Sequence, residues 1–225
     1  MLWLFQDHAQ FDAGRDGRVP WRKDPLHLML RMVCMAGIML FSRHPGDLLM
    51  WAKSMVKRRR PLSLPLPWLT FDAIRQINQY LGHGKRIYEY GSGHSTLYWA
   101  GLGSEVHSVE DNPGWFELAQ QKISSLKNVT VRLAQNEAAY VGSINEVNGD
   151  FDVVLVDGAY RLACIDAAVP RVRPGGILVV DNTDWHWFDD VDSHIPAGWR
   201  KTVFAGCAPF IGYPSQTTVW VRPDA

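Results

Sequence analysis

The chain has 225 residues, 47% hydrophobic and 20% charged, enough for one substantial core and too few for two full enzyme domains. Its 23 Lys and Arg balance its 23 Asp and Glu, so net charge indicates neither nucleic-acid nor anionic-membrane binding. The charge is polarised all the same: residues 1–60 hold 11 basic and 5 acidic side chains, residues 61–225 hold 12 and 18.

In chain order, the opening MLWLFQDHAQ lacks the basic, apolar and small-residue pattern of a secretory leader. The apolar stretch Leu26 to Phe41 is broken by Arg31, and its uninterrupted part, Met32–Phe41, is too short to span a bilayer. Leu28, Met32, Met35 and Met39 recur at helical spacing, and Asp47–Lys57 reads as a second amphipathic helix ending in the run Lys57-Arg58-Arg59-Arg60, a solvated terminus that complements the helix dipole. All seven methionines lie at or before Met55. That shift, coinciding with the charge shift, predicts a helical layer or lid over residues 1–60 and a body over 61–225. The Met-rich face is expected to be buried against the body or in a homodimer, ahead of contact with a greasy substrate or a membrane. Pro61, Pro65 and Pro67 then impose an extended strap.

From Thr70, read as an N-cap, the pattern predicts a helix over Phe71–Leu81, a strand over Arg86–Tyr90, a helix over Ser95–Leu102 and a strand over Glu105–Glu110. A helix over Pro113–Ser124 and a strand over Val129–Leu133 follow. Asp152–Asp157 and Ile177–Asp181 are apolar runs of the kind covered on both faces, joined by a helix over Arg161–Val172. Asp184–Pro196 has no clear period. Trp199–Phe204 and Thr217–Arg222, with no helix between them, are expected to pair antiparallel. The sum is an α/β fold: a mostly parallel seven-stranded sheet with one antiparallel strand, helices on both faces and the N-terminal helical layer. Cys34, Cys164 and Cys207 are odd in number and widely spaced, which argues against disulfides or a cysteine zinc site and for a reducing cytoplasm.

The informative constellation is Glu89-Tyr90-Gly91-Ser92-Gly93-His94-Ser95, at a strand-to-helix junction. Glycines there let a ligand approach the backbone, although they also serve any tight turn of this kind. Glu110 ends the next strand, 19 residues beyond Gly91, where an acid can accept both hydroxyls of a ribose. A nucleoside-bearing cofactor is implied. The third glycine of a dinucleotide motif is replaced by Thr96, and Glu89 would repel a pyrophosphate, whereas an acid there suits a cationic amino group.

Through these residues, with the strand end VLVDG and the segment RPGGILVVDN, the sequence resembles the class I S-adenosylmethionine-dependent methyltransferases over about residues 68 to 222. The resemblance implies a Rossmann-like body in which Gly91 and Gly93 wrap the methionine moiety, Glu89 holds its ammonium and Glu110 binds the ribose. Asn136 or Gln135 would meet the adenine, and Trp68, Thr70, Ser92, Ser95, Asp111 and Asp157 would complete the cofactor site. Asp157, Asp181 and Asn182 further resemble the metal ligands of the catechol O-methyltransferase type, two carboxylates and an amide suited to Mg²⁺. Strand-end aspartates also occur in metal-free relatives, and Asn182 can simply cap its loop. The lysine base of that type is replaced by Tyr160, followed by Arg161.

Methyl transfer needs alignment and the removal or accommodation of one proton. Asp157, Asp184 and His186 are the candidate bases, with Tyr160 and Arg161 placed to orient an anionic group, while His94 would only line the cofactor. Asp157, His186 and Tyr160 are the catalytic expectation. Trp185, Trp187, Phe188, Phe210 and Tyr213 form either a substrate wall or ordinary loop packing. The leading expectation is methyl transfer to a small-molecule acceptor, through oxygen, with no nucleic-acid partner. An aminopropyltransferase-like enzyme, for which Asp184, Asp189, Asp190 and Asp192 would supply an acidic polyamine channel, and a non-catalytic cofactor-binding module are the alternatives.

Overall fold

The apolar runs become the strands of one sheet in the computed structural model, which describes residues 25–57, 62–185 and 190–224. Its strands are β1 (Arg86–Tyr90), β2 (Glu105–Glu110), β3 (Val129–Leu133), β4 (Phe151–Val156), β5 (Val172–Asp181), β6 (Arg200–Gly206) and β7 (Ser215–Val221), in the order β3-β2-β1-β4-β5-β7-β6. The first five are parallel neighbours, and β7 runs antiparallel to both β5 and β6.

Every residue of β4 is buried, as its nearly continuous apolar sequence requires of a strand covered on both faces, and the one charged residue, Asp152, is paired with Lys85 and Arg173. Alternate side chains feed two separate cores. Val154, Val156, Leu178 and Val180 pack beneath α6 (Glu137–Gly142) and α7 (Arg161–Ala168), whereas Val153, Leu155, Ile177 and Val179 pack beneath α3 (Phe71–Ile77) and α4 (His94–Gly101). α5 (Pro113–Ile123) begins with its proline in the first turn and is capped by Asn112, whose side chain accepts from Trp115 N at 2.9 Å.

Several boundaries differ from the sequence reading for identifiable reasons. Thr70 holds the N-cap position of α3 without a side-chain capping bond: its hydroxyl donates to Phe204 O at 3.4 Å and its N–H to Thr217 Oγ1 at 3.2 Å. α3 stops at Ile77 and relaxes into a 3₁₀ turn over Asn78–Tyr80. α7 ends at Ala168, because Pro170 lacks the N–H that a continuing helix would use. β5 begins at Val172 instead of Ile177, Val172 pairing with Phe151 ahead of a register shift. α6 is six residues long, too short to show a helical period, and has no counterpart in the sequence reading.

The N-terminal layer consists of α1 (Pro25–Leu40) and α2 (Asp47–Lys57). Met35, Met39 and Trp51 pack on Phe71 and Cys207 of the body, and Arg75 pairs with Asp47 at 2.9 Å. Among the described residues no helix is long and apolar enough to cross a membrane. Arg58, Arg59 and Arg60 lie outside the described residues, as do His186, Trp187, Phe188 and Asp189.

Candidate functional site

Strand order reverses beside β1, whose neighbours β2 and β4 lead away in opposite directions. At such a switch point the loops leaving the carboxyl ends diverge and leave a crevice. A pocket of about 530 Å³ opens there, lined by the loop after β1, the end of β2, the ends of β4 and β5, and the segment before β7.

The loop after β1 is constrained by its own backbone. Gly91 has φ +102°, and a Cβ on it would stand 3.0–3.2 Å from the backbone of Asp157 and Gly158, so only glycine fits without strain. Gly93 differs: a Cβ there would meet the Trp115 ring at an ordinary 3.6 Å. Its N–H is capped by Thr96 Oγ1 at 2.9 Å, which opens α4. Glu110 ties the loop to β2, accepting from Ser92 N at 3.1 Å, Ser92 Oγ at 3.0 Å and Asn112 N at 3.0 Å. Trp115 Nε1 donates to Ser92 O at 2.6 Å and closes the loop from the other side.

Acids converge on this place. Glu89 is fully buried beneath the glycine turn; Oε1 accepts from Trp99 Nε1 at 2.8 Å, and Oε2 has no hydrogen-bond partner. Burial pushes its carboxyl up to about 7, against the hydrogen bonds that favour the charged form. Burial likewise raises Glu110, Asp157 and Asp181, the last further raised by Asp157. The lining carries Glu110, Asp111, Asp157 and Asp181 against the single guanidinium of Arg161 among its described residues. His94, also in the lining, is held uncharged by burial, which lowers it to about 4. Its Nε2 accepts from Leu62 N at 3.0 Å, and its ring packs in a three-ring cluster with Trp68 and Phe210, with centroids 5.7 and 4.8 Å away.

No protein-family model matches the chain. Over 126 residues it is 26% identical to the mycinamicin VI 2''-O-methyltransferase of Micromonospora griseorubida, an alignment covering 52% of this chain and 32% of that protein. The chain thus spans about a third of the length of this curated relative. The structure superposes on an rRNA methylase from Streptococcus thermophilus with a TM-score of 0.55 at 15% identity, covering 68% of this chain and 95% of that one. It matches a precorrin-6y C5,15-methyltransferase from Geobacter metallireducens with a TM-score of 0.52 at 16% identity, covering 68% and 91%. The fold is that of the class I methyltransferases.

Within this methyltransferase fold, Trp68, Gly91, Ser92, Gly93, Ser95, Glu110, Asp111 and Asp157 line the pocket, while Glu89, fully buried at the end of β1, is not in the lining. Thr70, Gln135 and Asn136 are not in the lining. Thr70 is buried against β6 and β7, Gln135 is exposed, and Asn136 caps α6 by accepting from Ala139 N at 2.9 Å. Tyr160 takes a left-handed conformation, φ +51°, which turns it into a neighbouring depression with Glu137 and Leu162. His186 lies outside the described residues. Of the acids read as a polyamine channel, Asp192 pairs with Lys201 at 2.6 Å, Asp184 and Asp190 are exposed and outside the lining, and Asp189 is not described.

Among the aromatic residues after β5, Trp185 and Tyr213 line the pocket, while Phe210 is buried against His94 and Trp68. Trp115, Gly158, Ala159 and Ile211 line the pocket without weight in the sequence reading. Trp115 carries no signal beyond its place in the first turn of α5. Gly158, inside VLVDG, cannot bear a Cβ, which would collide with Tyr140 Oη and approach Tyr90 O at 2.9 Å.

The three residues of the catechol-type set stand beside a cation of the chain itself. Asp157, Asp181 and Asn182 do share the lining, but Arg161 donates into them: Nη2 to Asp157 Oδ1 at 3.0 Å and Nη1 to Asn182 Oδ1 at 3.2 Å. Among the described residues no group of three or more His, Cys, Asp or Glu side chains is placed to hold an ion.

Proposed function

We propose that this chain is an S-adenosylmethionine-dependent methyltransferase acting on a small-molecule acceptor through oxygen. The observation that carries the reading is the acidic, desolvated pocket at the glycine turn. Burial desolvates its carboxyl groups and raises their proton affinity, and the described lining sets four acids against one guanidinium, so a cationic ligand is favoured there and a pyrophosphate is opposed. The cofactor would supply a methyl group on a positively charged sulfur, the electrophile of an in-line displacement.

The residues fit that group. Glu89 offers a buried oxygen without a partner to an ammonium, and the Glu110 carboxylate, held rigidly by three N–H and O–H donors, faces the pocket for a ribose. Gly93 is required by neither a left-handed φ nor its own packing, which leaves close approach of a ligand as its reason. Asp157 sits at the carboxyl end of β4, and its raised proton affinity makes it the base proposed for an acceptor hydroxyl. The similarity to a 2''-O-methyltransferase supports oxygen as the acceptor atom. The acidic excess of residues 61–225 disfavours a polyphosphate acceptor such as RNA.

Calorimetry with S-adenosylhomocysteine tests the reading. Wild type is expected to bind, and Gly93→Val to bind at least about tenfold more weakly while keeping the wild-type circular dichroism, a loss of about 1.4 kcal/mol or more. Gly91→Val is less informative because that position is also required by the fold. Absence of binding by the wild-type chain would overturn the proposal.

A further inference from the structure

We infer that Arg161 is a resident cation standing where the catechol-type arrangement would place a divalent ion, so that the cluster of Asp157, Asp181 and Asn182 is organised without metal. A guanidinium has five N–H donors in one plane. All five find oxygen here. Nε donates to Gly158 O at 3.0 Å; Nη1 donates to Asp181 O at 2.6 Å and Asn182 Oδ1 at 3.2 Å; Nη2 donates to Asp157 O at 3.3 Å and Asp157 Oδ1 at 3.0 Å. The remaining carboxylate of the set is engaged from the other side, Asp181 Oδ1 accepting from Thr217 Oγ1 at 2.6 Å. The indole of Trp185 lies over the guanidinium, 5.5 Å from ring centroid to Cζ.

The backbone is shaped around this arrangement. Tyr160, immediately before Arg161, and Asn182, one of its acceptors, both have left-handed φ, +51° and +57°. Non-glycine residues hold that conformation where surrounding contacts over-determine it, and the five bonds of Arg161 tie the segment after β4 to the end of β5 and Asn182. A divalent ion needs several of these same oxygens around it. It would have to displace a saturated, partly buried cation of like sign, so the two are alternatives. The same bonds leave Arg161 without a donor for the anionic acceptor group considered from the sequence, and make it a positioning residue that holds Asp157 at the pocket.

Metal binding can be read without cofactor, substrate or turnover, so this inference stands or falls separately from the methyl-transfer reading. The free-ion electron paramagnetic resonance signal of Mn²⁺ is titrated with the full-length chain. Wild type is expected to leave the signal unchanged. Arg161→Gly, or Arg161→Gln where the glycine variant loses its circular dichroism, is expected to take up one Mn²⁺ per chain, at least roughly tenfold more tightly than wild type, on the hard oxygens released. Adding Asp181→Asn is expected to abolish that uptake. Stoichiometric Mn²⁺ on the wild-type chain that Asp181→Asn removes would overturn the inference, as would folded Arg161 variants that gain no site.

Discussion

Two buried ionisable residues at the glycine turn titrate in opposite senses. Burial lowers His94 from 6.5 to about 4, so the folded chain refuses a proton that the unfolded chain accepts. Its contribution to stability is complete above about pH 6.5 and is lost as pH falls from there toward 4. Glu89 is raised from 4.5 to about 7. Its contribution is complete below about 4.5 and is lost as pH rises through 7, where the unfolded chain has already released the proton. Thermal melts from pH 4 to 8 separate the two. His94→Gln, whose amide oxygen can still accept from Leu62 N, is expected to flatten the acid-side loss. Glu89→Gln is expected to gain on wild type progressively from pH 5 to pH 8, while weakening S-adenosylhomocysteine binding. Glu89 was legible as a site residue from its place before the glycines; the neutral His94 was not, because its shift comes from Trp68 and Phe210, far off in sequence.

At the scale of elements, the N-terminal helices set one wall of the pocket indirectly. Trp51 Nε1 of α2 donates to Ile211 O at 2.8 Å, and Ser54 Oγ accepts from Phe210 N at 2.8 Å, so α2 fixes the segment from which Ile211 and Tyr213 enter the lining. Ser54→Ala leaves a buried N–H unsatisfied. That costs about 1–3 kcal/mol, expected as a lowered urea midpoint together with weaker S-adenosylhomocysteine binding. An effect on stability alone would show that the wall is held by other contacts. The helices themselves were legible from the spacing of Leu28, Met32, Met35 and Met39 and from Asp47–Lys57. What they cover was not, since amphipathicity identifies the buried face and says nothing of its partner.

For the molecule as a whole, we propose that the polarity of charge and methionine content marks a division of labour. The body carries the sheet, the glycine turn and the acids, and the basic N-terminal segment supplies helices that close over the last loop. We propose residues 1–60 as a layer whose loss leaves the sheet but loosens the site. A chain beginning at Leu62 exposes Phe71 and Cys207 and lacks the α2 contacts to Phe210 and Ile211. It is expected to retain strand content by circular dichroism, to melt at lower temperature and to bind S-adenosylhomocysteine more weakly than the full chain. Unaltered affinity would remove the layer from the function of the site.

The sequence by itself determined the existence and order of the strands, the antiparallel pairing of the last two, the two N-terminal helices and the glycine turn with its two acids, because each is written in local periodicity or in a backbone conformation that only glycine adopts easily. Only the tertiary structure decided the use of the neighbouring polar residues. Asp157, Asp181 and Asn182 read either as metal ligands or as plain strand-end residues with a loop cap, and the structure adds Arg161, which from the first turn of α7 donates to groups of all three. Tyr160, read as a site candidate, has a left-handed backbone and lines the adjoining depression. Spacing along a chain specifies which groups lie at neighbouring strand ends, while the direction of each side chain depends on turns and long-range packing.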